Sequence, residues 1–96
     1  MLHIFRQGHP FSPLLSSLWD AFDVHSDHLL LIEDGVYLSL SADHLQLRQL
    51  SDQGRLSVLD DDLNARGIDA RLGRSINLQE WVELTRQHCA NLTWNP

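Results

Sequence analysis

The stretch Leu29-Leu30-Leu31-Ile32-Glu33-Asp34-Gly35 decides how the rest of the chain is read. Its apolar residues show no polar alternation, which is expected of a strand covered on both faces rather than on one. Glu33, Asp34 and Gly35 then end the run abruptly. A strand buried in this way belongs to a parallel sheet, and parallel strands need crossover connections that are usually helical.

Upstream, Met1 to Phe5 reads as an opening strand, punctuated by Gly8-His9-Pro10. Ser12-Pro13 is a helix start: a hydroxyl to cap a free amide, then a proline where the missing N–H costs nothing. Leu14, Leu15, Leu18, Trp19 and Phe22 follow at helical spacing, so a helix is expected from about Ser12 to Asp23. Val24 to Asp27 is turn-like.

Downstream, Val36, Leu38, Leu40 and Ala42 fit a helix or a strand by period alone. The Asp34-Gly35 start and the need for a crossover favour the helix. Leu45, Leu47 and Leu50 read as a short strand or a turn, and Ser51 to Gly54 as a loop. Leu56 to Leu59 is a further strand. Three acids at Asp60-Asp61-Asp62, Arg66 in the last turn and Gly67 beyond it suit a short helix matched to its dipole. Ile68 to Leu72 connects to a brief strand at Ser75-Ile76. Asn77 with Glu80 forms a capping box for a last helix, whose inward side is Trp81, Val82, Leu84, Thr85, His88 and Cys89. Asn91 to Trp94 returns as a final strand. The expectation is an α/β fold, a small parallel sheet flanked by helices. Its chemistry would sit beyond the strand carboxyl ends, in the loops after Phe5, Ile32 and Leu59.

Composition fits one domain spanning residues 1–96, with 43% hydrophobic and 21% charged residues. The longest apolar run, Leu29 to Ile32, is far short of the roughly 20 residues a membrane helix needs. With no secretory signal in view, the cytoplasm is the expected location. A formal net charge of −6, with all seven bases arginine, repels phosphate backbones and anionic lipid, so neither direct nucleic-acid nor membrane binding is expected.

Each candidate for chemistry has a plainer reading. Cys89 falls near a helix C-terminus, where the dipole opposes a thiolate, and it reads as a half-buried structural thiol. His25 and His28 lack the further ligands that zinc needs. Asp60-Asp61-Asp62 reads as a helix start before it reads as a cation site. Glu33-Asp34 occupies a favourable loop, yet Asp34 equally suits a cap. Arg66, Arg71 and Arg74 bracket a glycine-containing connector and together have the means to grip a carboxylate. No glycine-rich phosphate loop or nucleophile elbow is present.

Several segments taken in order carry more than their chemistry. They are Met1-Leu2-His3, the His9-Pro10-Phe11 turn with Ser12-Pro13, and Leu29 to Val36. Farther on come Leu59-Asp60-Asp61-Asp62-Leu63-Asn64-Ala65-Arg66-Gly67-Ile68, and Trp81-Val82-Glu83-Leu84-Thr85 followed by His88 and Trp94. Their order and spacing along the whole chain resemble the DsrH family, also called TusB. The resemblance implies a DsrE/DsrF-like, Rossmann-like three-layer fold and a subunit of a sulfur relay. It also implies TusC-like and TusD-like partners in a heterohexamer of paired heterotrimers. Such a complex takes persulfide sulfur from a TusA-like carrier and hands it to a TusE-like one for 2-thiolation of the tRNA wobble uridine. The sulfur-accepting cysteine is then expected on the TusD-like partner. Some relatives in sulfur-oxidising organisms carry a cysteine in the first helix, where this chain has Ser16 and Ser17. Cys89 matches no family cysteine position, so no catalytic, metal or cofactor-binding residue is expected.

Partner contacts are expected among Glu33, Asp34, Leu38, Leu40, Arg66, Arg71, Arg74, Leu92 and Trp94. A homodimer of the isolated chain is compatible with this reading. Two alternatives stay open: Cys89 as a persulfide acceptor, and a small-molecule binder using the Glu33-Asp34 loop.

Overall fold

The structure is a computed structural model that describes residues 1–94. Five strands form an all-parallel sheet: β1 (Leu2–Phe5), β2 (His28–Leu31), β3 (Leu56–Leu59), β4 (Arg74–Ile76) and β5 (Asn91–Trp94), in the order β4-β3-β2-β1-β5. The chain steps one way from β1 to β4 and then returns past β1 to place β5. With right-handed crossovers, that reversal puts the early helices on one face and the last helix on the other.

The first face is covered by α1 (Pro13–Ala21), a 3-10 helix (Glu33–Leu40), α2 (Leu45–Asp52) and α3 (Asp60–Ala65). Leu15, Leu18, Val36, Leu38, Leu47, Leu50 and Leu63 from these elements bury Phe5, Leu29, Leu31, Leu56 and Val58 of the sheet. The second face, Leu2, Ile4, Leu30, Leu59 and Ile76, meets α4 (Leu78–Gln87) through Trp81 and Leu84. Both faces of β2 are therefore covered, as its lack of alternation requires. No helix among the described residues is long and apolar enough to cross a membrane.

The helix starts follow their caps. Ser12 Oγ accepts the Leu14 N–H at 3.2 Å. The Asn77–Glu80 box closes in both directions, at 2.8 and 3.2 Å. Two segments differ from the sequence reading. Leu45, Leu47 and Leu50 are neither strand nor turn but helix α2, with Leu47 and Leu50 turned inward and Leu45 exposed. Its N-cap is His44, whose Nδ1 accepts the Leu47 N–H at 3.4 Å, so the usual hydroxyl or carboxylate signal is missing. The expected helix after Gly35 is present but has three residues per turn. Gly35 with Leu38 and Val36 with Ser39 therefore make buried lines, while Tyr37 and Leu40 line the outside. Leu38 is fully buried, which removes it from the expected contact surface; Leu40 stays on that surface. Val82, expected inward, is exposed on α4.

Candidate functional site

Three loops leave the carboxyl ends of β1, β2 and β3 side by side, and arginines tie their acids together. Arg6 Nε donates to Glu33 Oε2 at 2.8 Å. Arg66 Nε and Nη2 both donate to Asp34 Oδ1, at 3.1 and 3.0 Å. Arg66 Nη1 donates to the Asp62 carbonyl at 3.2 Å and lies 3.6 Å from its carboxylate. Asp62 Oδ2 in turn accepts the Glu33 backbone N–H at 2.7 Å.

These contacts hold Glu33 at φ +50°, a left-handed conformation that costs a residue with a Cβ about 1–2 kcal/mol. The backbone is crowded here for a reason. A Cβ at Gly35 would stand 2.3 Å from the Phe5 carbonyl oxygen, and one at Gly8 2.6 Å from that of Asp34. A cavity of about 590 Å³ opens beside the loops, lined by Arg6, Gln7, His9, Glu33 and Asp34 and by the start of α1. Its carboxylates are already engaged by guanidinium groups, and no thiol lines it. The arrangement offers shape and charge for recognition rather than a nucleophile.

The opposite, amino end of the sheet is built differently. Asp27, almost fully buried, accepts from the terminal ammonium of Met1 at 2.9 Å, from the Asp23 N–H at 3.0 Å and from His3 Nε2 at 2.8 Å. Trp94 Nε1, which can only donate, reaches His3 Nδ1 at 3.0 Å, so the His3 proton that faces Asp27 sits on Nε2. Burial pushes the Asp27 carboxyl up, but the Asp23 N–H, the ammonium and His3 outweigh it and hold the group at about 2.

Beside this network, His28 Nε2 and Ser57 Oγ lie 2.7 Å apart, and the His88 ring is 5.9 Å from that of His28. Burial, together with the charges of His88 and Arg55, lowers His28 to about 4. A ring held so low is neutral at pH 7 and a weak base. A cavity of about 520 Å³ lies between these residues and α4.

The sequence-expected residues divide between these two ends and the rim. Glu33, Asp34 and Arg66 come together. Arg74 is apart from them, on β4, with its Nη2 2.7 Å from Glu80 Oε2. Arg71 is also apart, beside the end of the 3-10 helix, its N–H donating to the Ser39 carbonyl at 3.1 Å. The three arginines therefore do not form one grip. Leu92 is exposed on the edge strand β5, while Trp94 is half-buried against His3. Cys89 is exposed rather than half-buried, because α4 ends at Gln87 and the thiol lies in the turn before β5.

His25 and His28 are separated by the strand start, and Asp60 to Asp62 serve the α3 start and the Glu33 clamp. No group of three His, Cys, Asp or Glu side chains among the described residues could hold a metal ion. Two residues were missed by the sequence reading. Arg6 follows β1 directly, at a strand carboxyl end that the fold marks for function. Phe11, in the turn between Pro10 and Pro13, is exposed.

A family model described as DsrH like protein matches residues 12–91. Protein TusB of Pectobacterium parmentieri is 32% identical over 97 residues, covering 98% of this chain and 100% of that protein. Protein TusB of Klebsiella pneumoniae (strain 342) is 33% identical over 97 residues, with the same coverage of 98% and 100%. Protein TusB of Serratia proteamaculans (strain 568) is 38% identical over 72 residues, 71% of this chain and 75% of that protein. With a parallel sheet wrapped by helices, a match across most of its length and relatives aligned end to end, the chain belongs to the DsrH family.

Proposed function

We propose that the chain is a non-catalytic subunit of a TusBCD-like sulfurtransferase complex. That complex relays persulfide sulfur for 2-thiouridine formation at the tRNA wobble position. Its partners are TusC-like and TusD-like subunits in a heterohexamer, with TusA-like and TusE-like carriers met indirectly. Its setting is the cytoplasm, and the sulfur-accepting cysteine sits on the TusD-like chain.

The observation that carries this reading is where the thiol lies. Ligand chemistry in an open parallel sheet gathers at the strand carboxyl ends. That end of this molecule has a cavity, two arginines and several carboxylates, but Cys89 is at the other end, past the C-terminus of α4. Surfaces left for partners are Glu33 and Asp34 at the carboxyl end, Leu40 on the outer line of the 3-10 helix, and Leu92 on the open edge.

Co-expression with the TusC-like and TusD-like subunits of the same organism tests the reading. A complex containing all three chains is expected, and a chain that elutes alone beside both would refute it. The exposure of Cys89 favours one second reading, in which this thiol itself accepts the persulfide. In that case Cys89→Ser would abolish sulfur labelling of this chain.

A further inference from the structure

Phe11 is 84% exposed, the most exposed large apolar residue among those described. Its loop leaves it no way inward. Pro10 and Pro13 bracket it, its N–H donates to His9 Nδ1 at 3.1 Å, and the Ser12 N–H donates to the His9 carbonyl at 3.1 Å. Ser12 Oγ also donates to Gln7 Oε1 at 2.6 Å. A ring fixed in this way gives up little freedom when it is covered, which is the property of an interface anchor.

Phe11 forms a wall of two hollows. One is the carboxyl-end cavity. The other, about 420 Å³, is lined by Pro10, Leu40 and Ala42 together with Ser41, Asp43, His44 and Arg71. Neither the Asp43 carboxylate nor the Arg71 guanidinium has a hydrogen bond or ion pair among the described residues. A projecting ring beside a hollow that also holds an unpaired acid and an unpaired base is a self-complementary set, which is what a two-fold contact uses. Each copy supplies the knob, the hole, the anion and the cation that the other takes. A partner of one charge sign would leave either Asp43 or Arg71 opposed by a like charge, so a second copy fits better.

We propose that this corner is a self-complementary docking site for a second copy of the chain. Phe11 of each protomer enters the hollow beside Leu40 of the other, and Asp43 of each meets Arg71 of the other. Self-association of the purified chain is separable from hetero-assembly, so failure here leaves the sulfur-relay reading standing.

Sedimentation of the purified full chain up to on the order of 100 µM tests it. A dimer is expected for the wild type. Phe11→Ser should weaken it by about tenfold or more, with an unchanged melting curve at dilutions where both proteins are monomeric, because the side chain is outside the core. Asp43→Arg and Arg71→Asp should each weaken the dimer, and the double exchange should restore it toward wild type. A wild type that stays monomeric would overturn the proposal. So would a dimer indifferent to Phe11→Ser, or an exchange that gives no rescue. A monomer whose assembly with the TusC-like and TusD-like subunits is blocked by Phe11→Ser would assign the corner to a hetero-partner instead, and likewise overturn the second copy.

Discussion

The two ends of the sheet are held by opposite means. At the carboxyl end, side chains that water still reaches, such as Arg6 with Glu33 and Arg66 with Asp34, pin a strained backbone into one shape. At the amino end, buried Asp27 and His3 satisfy each other away from water, and half-buried His28 pairs with buried Ser57. Exposed ion pairs are individually weak, whereas a buried charge left without a partner is costly. Stability should therefore be concentrated at the amino end and shape at the carboxyl end. The contrast predicts how differently the two will respond to substitution, pH and salt.

The largest effect is expected from Asp27→Ala. It strands the His3 Nε2–H in the core and leaves the terminal ammonium unpaired, and should cost about 3–4 kcal/mol in equilibrium unfolding. A loss below about 1 kcal/mol would mean that the amino-end network is not what holds that end together. Next is Gly35→Ala at the carboxyl end, where main chain meets main chain rather than a side chain that can swing away. It should cost about 2–3 kcal/mol by the same measurement.

The third prediction is a pH dependence. His28 has a folded value near 4 against an ordinary 6.5, so the unfolded chain binds the extra proton. Stability should be greatest above pH 6.5 and should fall as the pH drops from there through 4. With discount for the solvent that still reaches the ring, the loss is on the order of 1–2 kcal/mol. Asp27 adds its own loss between its ordinary 3.8 and about 2. His28→Gln, which keeps a partner for Ser57, should flatten the upper part of the curve and leave the lower part. An unchanged upper part would assign the loss to other groups.

The smallest effect is expected at the strained position. Glu33→Gly relieves about 1 kcal/mol of backbone cost and gives up an exposed pair worth less than that. Stability should therefore stay level or rise slightly, and the salt dependence of unfolding should weaken. A clear destabilisation would show that Arg6 and Glu33 contribute more than an exposed pair normally does.

What was legible in the chain follows the same division. Leu29 to Ile32 could be read because two covered faces demand an unbroken apolar run, and Leu56 to Leu59 because Ser57 alone interrupts the same pattern. The Ser12 and Asn77 caps could be read because their chemistry is local. The period of the 3-10 helix could not be recovered, since Val36, Leu38 and Leu40 alternate like a strand until a turn of three residues separates Leu38 from Leu40. Helix α2 was hidden because a histidine caps it. At the site, the loop positions of Glu33 and Asp34 were visible from strand endings. Their arginine partners were not, because Arg66 meets Asp34 across 32 positions of sequence. The meeting of Trp94 with His3, 91 positions apart, is likewise a product of the return of β5 to the edge beside β1.

The residence of the working sulfur can be measured directly. The most direct measurement is transfer of labelled persulfide sulfur from a TusA-like donor to a TusE-like acceptor, through the assembled complex carrying Cys89→Ser in this chain. Transfer at the wild-type rate is predicted. Transfer reduced to background, with the complex still intact, would contradict it.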